Sequence, residues 1–331
     1  MVEIVPLIDL VGKPISGEWG DGEGNIKVLR TTNFTNEGCL RLNDVVTRSI
    51  DSKKVEKKKL IKGDIIIEKS GGSPNQPVGR VVYFEEDGIY LCNNFTSVLR
   101  VKNKRVFSKY LHYILFSAHK GGVTQAFQNK TTGIINLKLN NYLEDIKIPL
   151  PPLATQKKIA AILDAANAHR QKTKQLLAKY DELAQSIFLE MFGEIEGEDF
   201  SMLELSDTSE KGTFSNGPFG SDLLTSELTN QGIPVIYIRD IRNGEFQWKS
   251  QVFITNEKAQ YLKNCQVKQG DVLIAKVGDP PGATAIYPND ALAVITQDVI
   301  RLRPNLEKVT PEFLQFWFNS KLGLRVFICD K

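Results

Sequence analysis

The sequence predicts an α+β protein in which two homologous, mixed β-rich domains are separated by one long coiled-coil-forming helix. Three observations carry that expectation. The chain repeats itself once at an offset of about 200 residues, each repeat is built of short β-branched runs punctuated by glycine, and between the repeats lies a long stretch free of Gly and Pro. The boundaries follow as a first domain over residues 1–150, a spacer helix over 151–193 and a second domain over 194–331.

The repeat is read from four matches in the same order. LIKGDIIIEKSGG from Leu60 aligns with VKQGDVLIAKVGD from Val267, so Gly63, Asp64, Ile67, Lys69 and Gly71 fall on Gly270, Asp271, Ile274, Lys276 and Gly278, each 207 residues on. Ile26 and Val28 align with Ile233 and Val235 at the same offset. CNNFTSVLRV from Cys92 matches ITQDVIRLRP from Ile295, and VFSKYLHYILFS from Val106 matches VTPEFLQFWFNS from Val309, now 203 residues on. A four-residue deletion between Gly278 and Ile295 accounts for the change. The period is far too long for a solenoid.

Within each copy, IIIEK and VLIAK follow Gly-Asp turns and read as strands, as do RVVYF, FTSVLRV and VIRLRP. The glycine-bearing stretches Ser70 to Gly79 and Gly278 to Gly282 read as loops at strand ends, and Asp279-Pro280-Pro281-Gly282 as a rigid turn. Amphipathic helices are expected over Ser108–Ser117, with Tyr110, Leu111, Ile114 and Leu115 on one face, and over Pro311–Ser320, where Pro311 suits a first helical turn.

After IPLPPL, Thr155 is expected to cap a helix running from Gln156 to Met191 and ending at Gly193, a rod of about 54 Å at 1.5 Å per residue. Counting in sevens places Ile159, Ala166, Thr173, Tyr180 and Ile187 at one position, Ile162, Leu176 and Leu183 three further on, and Leu163, Leu177, Ala184 and Met191 four further on. Ile159, Ile162, Leu163, Ala166, Leu176, Leu177, Tyr180, Leu183 and Ile187 therefore form an apolar stripe that requires a partner helix.

Composition narrows the function. With 41% hydrophobic and 24% charged residues the chain forms cores, and a net charge of +3 means that affinity for an anionic polymer must come from local clusters. Cys39, Cys92, Cys265 and Cys329 are too scattered for a disulfide framework or zinc ribbon and fit a reducing compartment, while three histidines make a His-based metal site hard to assemble. No apolar run approaches the roughly 18 residues of a membrane helix, and the N-terminal segment lacks a signal-peptide pattern, so a soluble cytoplasmic protein is expected. The nucleophile, zinc-protease, phosphate-loop and dinucleotide motifs are missing. GDGEG from Gly20 to Gly24 carries acids where phosphate would sit and reads as a turn, as does the acidic run Glu85 to Asp87. A bound cofactor and a metal are not expected.

The loops suit polar recognition. KSGGSPNQPVGR presents Lys69, Ser70, Ser73, Asn75, Gln76 and Arg80 on a glycine-bearing scaffold, chemistry that reaches base edges and phosphates. Arg30, Thr32 and Asn33 in the first copy and Arg239, Arg242 and Asn243 in the second form a corresponding loop pair, and Lys130, Thr131, Thr132 and Lys276 complete the candidate set. Framework positions repeat while loop positions diverge, as two readers of different targets require. The run KKVEKKK from Lys53 can follow phosphates, and Lys157, Lys158, Arg170, Lys172, Lys174 and Lys179 give the rod a basic surface for DNA or an acidic subunit.

With IPLPPLATQKKIAAILD from Ile148, the rod ending in SIFLEMFGE, the duplicated GDIIIEK and GDVLIAK, and YIRDI from Tyr237, the chain resembles the specificity subunits of type I restriction-modification systems over nearly its whole length. That resemblance implies two target recognition domains, each reading half of a split sequence in double-stranded DNA and held apart by helices. It implies a non-catalytic subunit docked to methyltransferase subunits, which bind S-adenosylmethionine and methylate adenine, with motor-nuclease restriction subunits as further partners. The second copy departs from the pattern: by the 203 offset a complete one would end near residue 396, about 65 residues past Lys331. The stripe is accordingly expected to pair in trans, with another copy or a separate fragment. Two alternatives stay open: a truncated scaffold or regulatory fragment that binds methyltransferase subunits or dimerises without full site recognition, and a fused recognition-methyltransferase enzyme, against which the absent cofactor motif argues.

Overall fold

A computed structural model describes residues 2–73, 75–131, 134–193, 200–210, 212–242, 244–278 and 281–323, except the side chains of Lys130 and Thr131. Two compact units emerge, Met1–Thr173 and Lys174–Lys331, and the division falls inside a single helix, Leu153–Phe192.

The first unit is built on a four-stranded antiparallel sheet ordered Ile15–Ser16, Thr96–Leu99, Ile65–Glu68, Val81–Tyr83. Ile65, Ile66 and Ile67 are fully buried because both faces of this sheet are covered. Strand alternation sends Ile65 and Ile67 toward Leu111 and Leu115 of the helix Ser108–Lys120, and Ile66 toward Leu29, Val82 and Val98 on the other face. Each such side chain contributes about 1.5–3 kcal/mol through burial. Beside that other face lies a sheet in which Asp21–Leu29 pairs antiparallel with Val46–Ser49 and parallel with Tyr90–Cys92. The strands Glu3–Pro6 and Lys147–Leu150 close the unit.

The second unit repeats this plan. Its four-stranded sheet runs Phe214–Asn216, Val299–Leu302, Val272–Ala275, Thr284–Ile286, and its Ile233–Ile236 strand pairs antiparallel with Phe253–Ile254 and parallel with Ala293–Ile295. The registers correspond residue for residue: Val28 faces Leu91 in one parallel pair and Val235 faces Val294 in the other. Val272 and Ile274 point toward Leu314 and Phe318 of the helix Pro311–Asn319, and Leu273 toward Val235 and Ile236. Because Ile67 faces Val81 and Ile274 faces Thr284, the four-residue deletion lies wholly in the connection between these strands, 69–80 in one copy and 276–283 in the other.

Each unit is locked by the same internal pair. Asp64, 1% exposed, binds Arg100 through two 2.8 Å bonds and accepts from the backbone N–H of Ile61 at 2.9 Å. Asp271 does the same with Arg303 and the N–H of Lys268. Gly17 and Gly217 pass the residue just after a neighbouring strand so closely that a Cβ on either would lie 1.9 Å from the carbonyl oxygen of Asn93 or Thr296. These glycines are required by space rather than by an unusual φ.

Several local expectations are corrected. The spacer helix starts at Leu153, so Thr155 sits in its first turn instead of capping it. Gln156 is buried there, accepting from Phe107 N–H and donating to the carbonyls of Arg105 and Pro151. GDGEG is not a free turn: Asp21–Gly24 belong to a strand whose register shifts between Asp21 and Ile26. Ser70 to Gly79 is only partly loop, because Ser70–Gly72 is the edge of a three-stranded sheet with the hairpin Gln128–Thr131 and Ile134–Leu137. The turn expected at Asp279 and Pro280 and the residue Cys329 lie outside the described residues. Cys92 and Cys265 are buried and Cys39 partly so. No described helix is long and apolar enough to cross a membrane.

Candidate nucleic-acid interface

In the first unit the connection 69–80 rises from the end of the Ile65–Glu68 strand. Phe95 carbonyl oxygen receives the N–H groups of Lys69 and Ser70 at 2.9 and 3.2 Å, Lys69 carbonyl receives Leu137 N–H at 2.8 Å, and Ser73 and Gln76 exchange backbone bonds at 2.9 and 3.0 Å. The backbone is thus held as an added strand and a tight turn, leaving Ser73, Asn75 and Gln76 exposed at the tip. Lys69 is half-buried with its ammonium 3.4 Å from Ser16 Oγ. Burial, with the like charge of Lys58 adding to it, holds that ammonium below its ordinary value, a penalty an approaching phosphate relieves. Ser70 spends its hydroxyl on Asn136 Oδ1 at 2.5 Å. Lys130 and Thr131 belong to the adjoining hairpin, which the strand pairing brings beside the loop, and Thr132 lies outside the described residues.

Two candidate readers turn inward. Arg80 forms a two-point ion pair with Glu68, both bonds 2.9 Å, and donates two further N–H groups to the carbonyls of Phe34 and Thr31 at 3.2 Å. Four of its five N–H groups thus go to protein, so Arg80 clamps the connection from within. Asn33 is 1% exposed, accepting from Arg30 N–H at 2.8 Å and donating to the carbonyls of Arg41 and Asp44 at 3.0 and 2.9 Å. Its amide likewise pins the turn. Arg30 itself pairs with Asp44 at 2.8 Å, while Thr32 is exposed. Thr32, Gln76 and Arg80 line one cleft of about 520 Å3 between the Thr31–Arg41 segment and the 69–80 connection.

The helix Ser52–Lys58 places its basic run alongside. Asp51 caps it by accepting from the N–H groups of Lys53 and Lys54 at 3.0 and 3.3 Å. Lys54 and Lys58 share Glu18 at 3.2 and 2.7 Å, and the Lys58 bond leads in holding that carboxyl below its usual range. Part of the positive charge is therefore spent internally, while Lys53 and Lys57 face solvent.

In the second unit, Arg239 and Arg242 are exposed, and Asn243 lies outside the described residues. Arg239 donates to Ser250 Oγ at 2.5 Å and stacks 4.8 Å from the Tyr237 ring centroid. Lys276 is exposed at the start of the shorter connection. Asp240, fully buried, is the counterpart of Asn33: it accepts from the N–H groups of Tyr237, Lys249 and Ser250 at 2.9, 2.8 and 2.7 Å. Sequence reasoning passed over Phe219, which is 77% exposed at the rim of a cleft of about 340 Å3 lined by Tyr237, Thr296 and Gln297. An aromatic between Gly217 and Gly220, where Trp19 stands two residues after Gly17 in the other copy, was the signal that could have found it. Among the described residues, no three His, Cys, Asp or Glu side chains converge as a metal-binding group.

The spacer helix leaves its stripe in solvent. Ile162, Leu163, Leu176, Leu177, Tyr180, Leu183 and Ile187 are exposed by 39–60%, and Ala166 is exposed too. Ile159 departs from the expected stripe, since it packs against the core of the first unit beside Ala160. In the second unit the helix contributes Phe188, 6% exposed among Phe192, Phe313, Phe316 and Trp317 at centroid distances of 4.8–6.3 Å.

Comparison with known proteins agrees with this layout. The family model for the type I restriction modification DNA specificity domain matches residues 12–179. The type I restriction enzyme EcoBI specificity subunit of Escherichia coli is 25% identical over 89% of the chain and 68% of its own length, and the MjaVIII specificity subunit of Methanocaldococcus jannaschii is 26% identical over 67% and 54%. Among solved structures, the S subunit of a type I restriction-modification system from M. genitalium superposes with a TM-score of 0.53 at 15% identity, covering 99% of this chain and 79% of that one. A chain from a type I R-M system studied for complex assembly and conformational transition gives 0.52 at 17% identity, covering 96% and 78%. These likenesses show the same fold, and the family match, spanning just over half of the chain, shows that the protein belongs to the type I restriction-modification DNA specificity family.

Proposed function

We propose that the chain reads a split sequence in double-stranded DNA, one half with each β-rich unit, and presents it to the methyltransferase subunits of a type I restriction-modification complex. The observation that carries this reading is a framework repeated bond for bond, Asp64 with Arg100 and Asp271 with Arg303, under connections that both start at a lysine and then differ in length and sequence. Equal scaffolds with unlike loops suit the reading of two different half-sites. Exposed lysines on the Ser52–Lys58 helix supply phosphate contacts in this reading. Chemistry belongs to the partner: the methyltransferase subunit binds S-adenosylmethionine and methylates adenine, and restriction subunits join it. The apolar stripe of the spacer helix packs on a second helix from another copy or a fragment of the same kind.

The test is to combine the chain with its methyltransferase subunits and map the modified bases. Methylation at one bipartite sequence with a fixed gap is the expected outcome. A complex that assembles but methylates no defined sequence would instead leave the chain as a scaffold.

A further inference from the structure

We propose that the Glu68–Arg80 ion pair is a positioning element for recognition by the first unit, fixing the 69–80 connection against the Thr31–Phe34 turn so that the cleft between them keeps one shape. The inference rests on the DNA-reading role above.

The second unit is an internal control for this pair. In the first, the hairpin is closed by Glu68 N–H donating to Arg80 carbonyl at 2.8 Å; in the second, Ala275 N–H donates to Ala283 carbonyl at the same distance. Strand registers on either side are equivalent. The same backbone station thus carries a buried charge pair in one copy and two methyl groups in the other. A buried pair recovers the cost of desolvation only in part, and Ala275 and Ala283 show that the hairpin closes without it. Stability of the hairpin therefore does not account for the charges.

Geometry does. The Glu68 side chain is 3% exposed and that of Arg80 12%. Arg80 spends one side of its planar fork on Glu68 and two further N–H groups on the carbonyls of Phe34 and Thr31. The two ends of the hairpin and the distant Thr31–Phe34 turn are tied at one guanidinium, whose rigid fork sets direction as well as distance. Arg80 lines the cleft whose rim carries Thr32 and Gln76, so the tie sets the spacing between these two groups.

The test uses the full methyltransferase complex with Glu68→Ala and Arg80→Ala together, copying the second unit. Its substrates are duplexes carrying the mapped site, or that site with one base changed in either half. Discrimination, read as the ratio of kcat/KM for cognate and altered duplexes, is expected to fall about tenfold for the half read by the first unit and to stay unchanged for the other. Arg80→Lys, which keeps the charge but not the two-point fork, is expected to lose the same discrimination. Should the double alanine variant fail to fold, Glu68→Gln with Arg80→Gln carries the test with neutral side chains of similar size. Undiminished discrimination in both halves overturns the positioning role alone. A wild-type complex that methylates no bipartite site removes the recognition role, and the positioning role with it.

Discussion

Asp271 receives the Arg303 guanidinium through two parallel bonds, Nε to Oδ1 at 2.8 Å and the terminal nitrogen to Oδ2 at 2.9 Å, and accepts a third bond from Lys268 N–H. At 1% exposure the carboxylate has no water to replace a lost partner. Asp271→Ala leaves the Lys268 N–H unpaired and Arg303 with Glu210 as its remaining carboxylate, a loss of about 1–3 kcal/mol. Thermal unfolding should show the second unit's transition moving down by several degrees while that of the first unit holds.

Gly17 meets the Asn93 carbonyl where any side chain would collide, whereas a Cβ on Gly12 would find its nearest neighbour at 3.7 Å. Gly17→Ala must push the chain after Ser16 away from the Asn93 carbonyl and is expected to cost about 1–3 kcal/mol, the range of overpacking. Gly12→Ala is the neutral control. Equal denaturant midpoints for the two variants would contradict the close crossing.

His112 sits 5% exposed among Tyr83, Tyr113 and Phe116, and burial, reinforced by the nearby Lys109 ammonium, lowers its pKa to about 4. The unfolded chain takes up a proton near pH 6.5 and the folded one does not, so stability from this residue is complete above that value and drains away as the pH falls toward 4. Going from pH 7 to pH 5, His112 alone should remove about 2 kcal/mol from the first unit, beside the loss in the same window from His119, which burial also lowers to about 4. His112→Phe should abolish that part of the pH dependence in urea titrations; a parent and variant with the same slope would show that another group is responsible.

Leu177 and Leu183 are 60% and 52% exposed on the spacer helix. Replacing both with Lys changes little within one chain, about 0.5 kcal/mol or less per site. It should nevertheless prevent association through the stripe, read as a lower mass by light scattering at unchanged helicity. A parent chain that is strictly monomeric would remove the pairing assigned to this face.

The architecture was legible where the physics is local or repeated. IIIEK and VLIAK are β-branched and follow Gly-Asp turns, and the buried Asp64 and Asp271 admit few substitutes, so the two copies still align after their loops have diverged. The helix Leu153–Phe192 lacks any breaker within its length. The site was less legible because residue type does not tell which way a polar side chain points. Arg80 and Asn33 looked like readers, yet the first is claimed by Glu68 and the second by backbone carbonyls, partners fixed only by tertiary folding. The strand Ser70–Gly72 was hidden for the same reason, since its partners Ile135 and Asn136 stand more than sixty residues away. Phe188 was missed because its aromatic neighbours, Phe192 apart, come from the distant helix Pro311–Asn319.

The pairing of Glu3–Pro6 with Lys147–Leu150 bears on how the molecule is made. Pro6 meets Lys147, a partner that leaves the ribosome 141 residues later, so the earliest strand must wait while nearly the whole first unit is synthesised. A waiting strand is an aggregation hazard, and this one carries a charge at Glu3 and a proline at Pro6, both of which discourage pairing with a stranger. The first unit is thus finished last at its beginning: the clasp snaps shut as translation reaches the spacer helix.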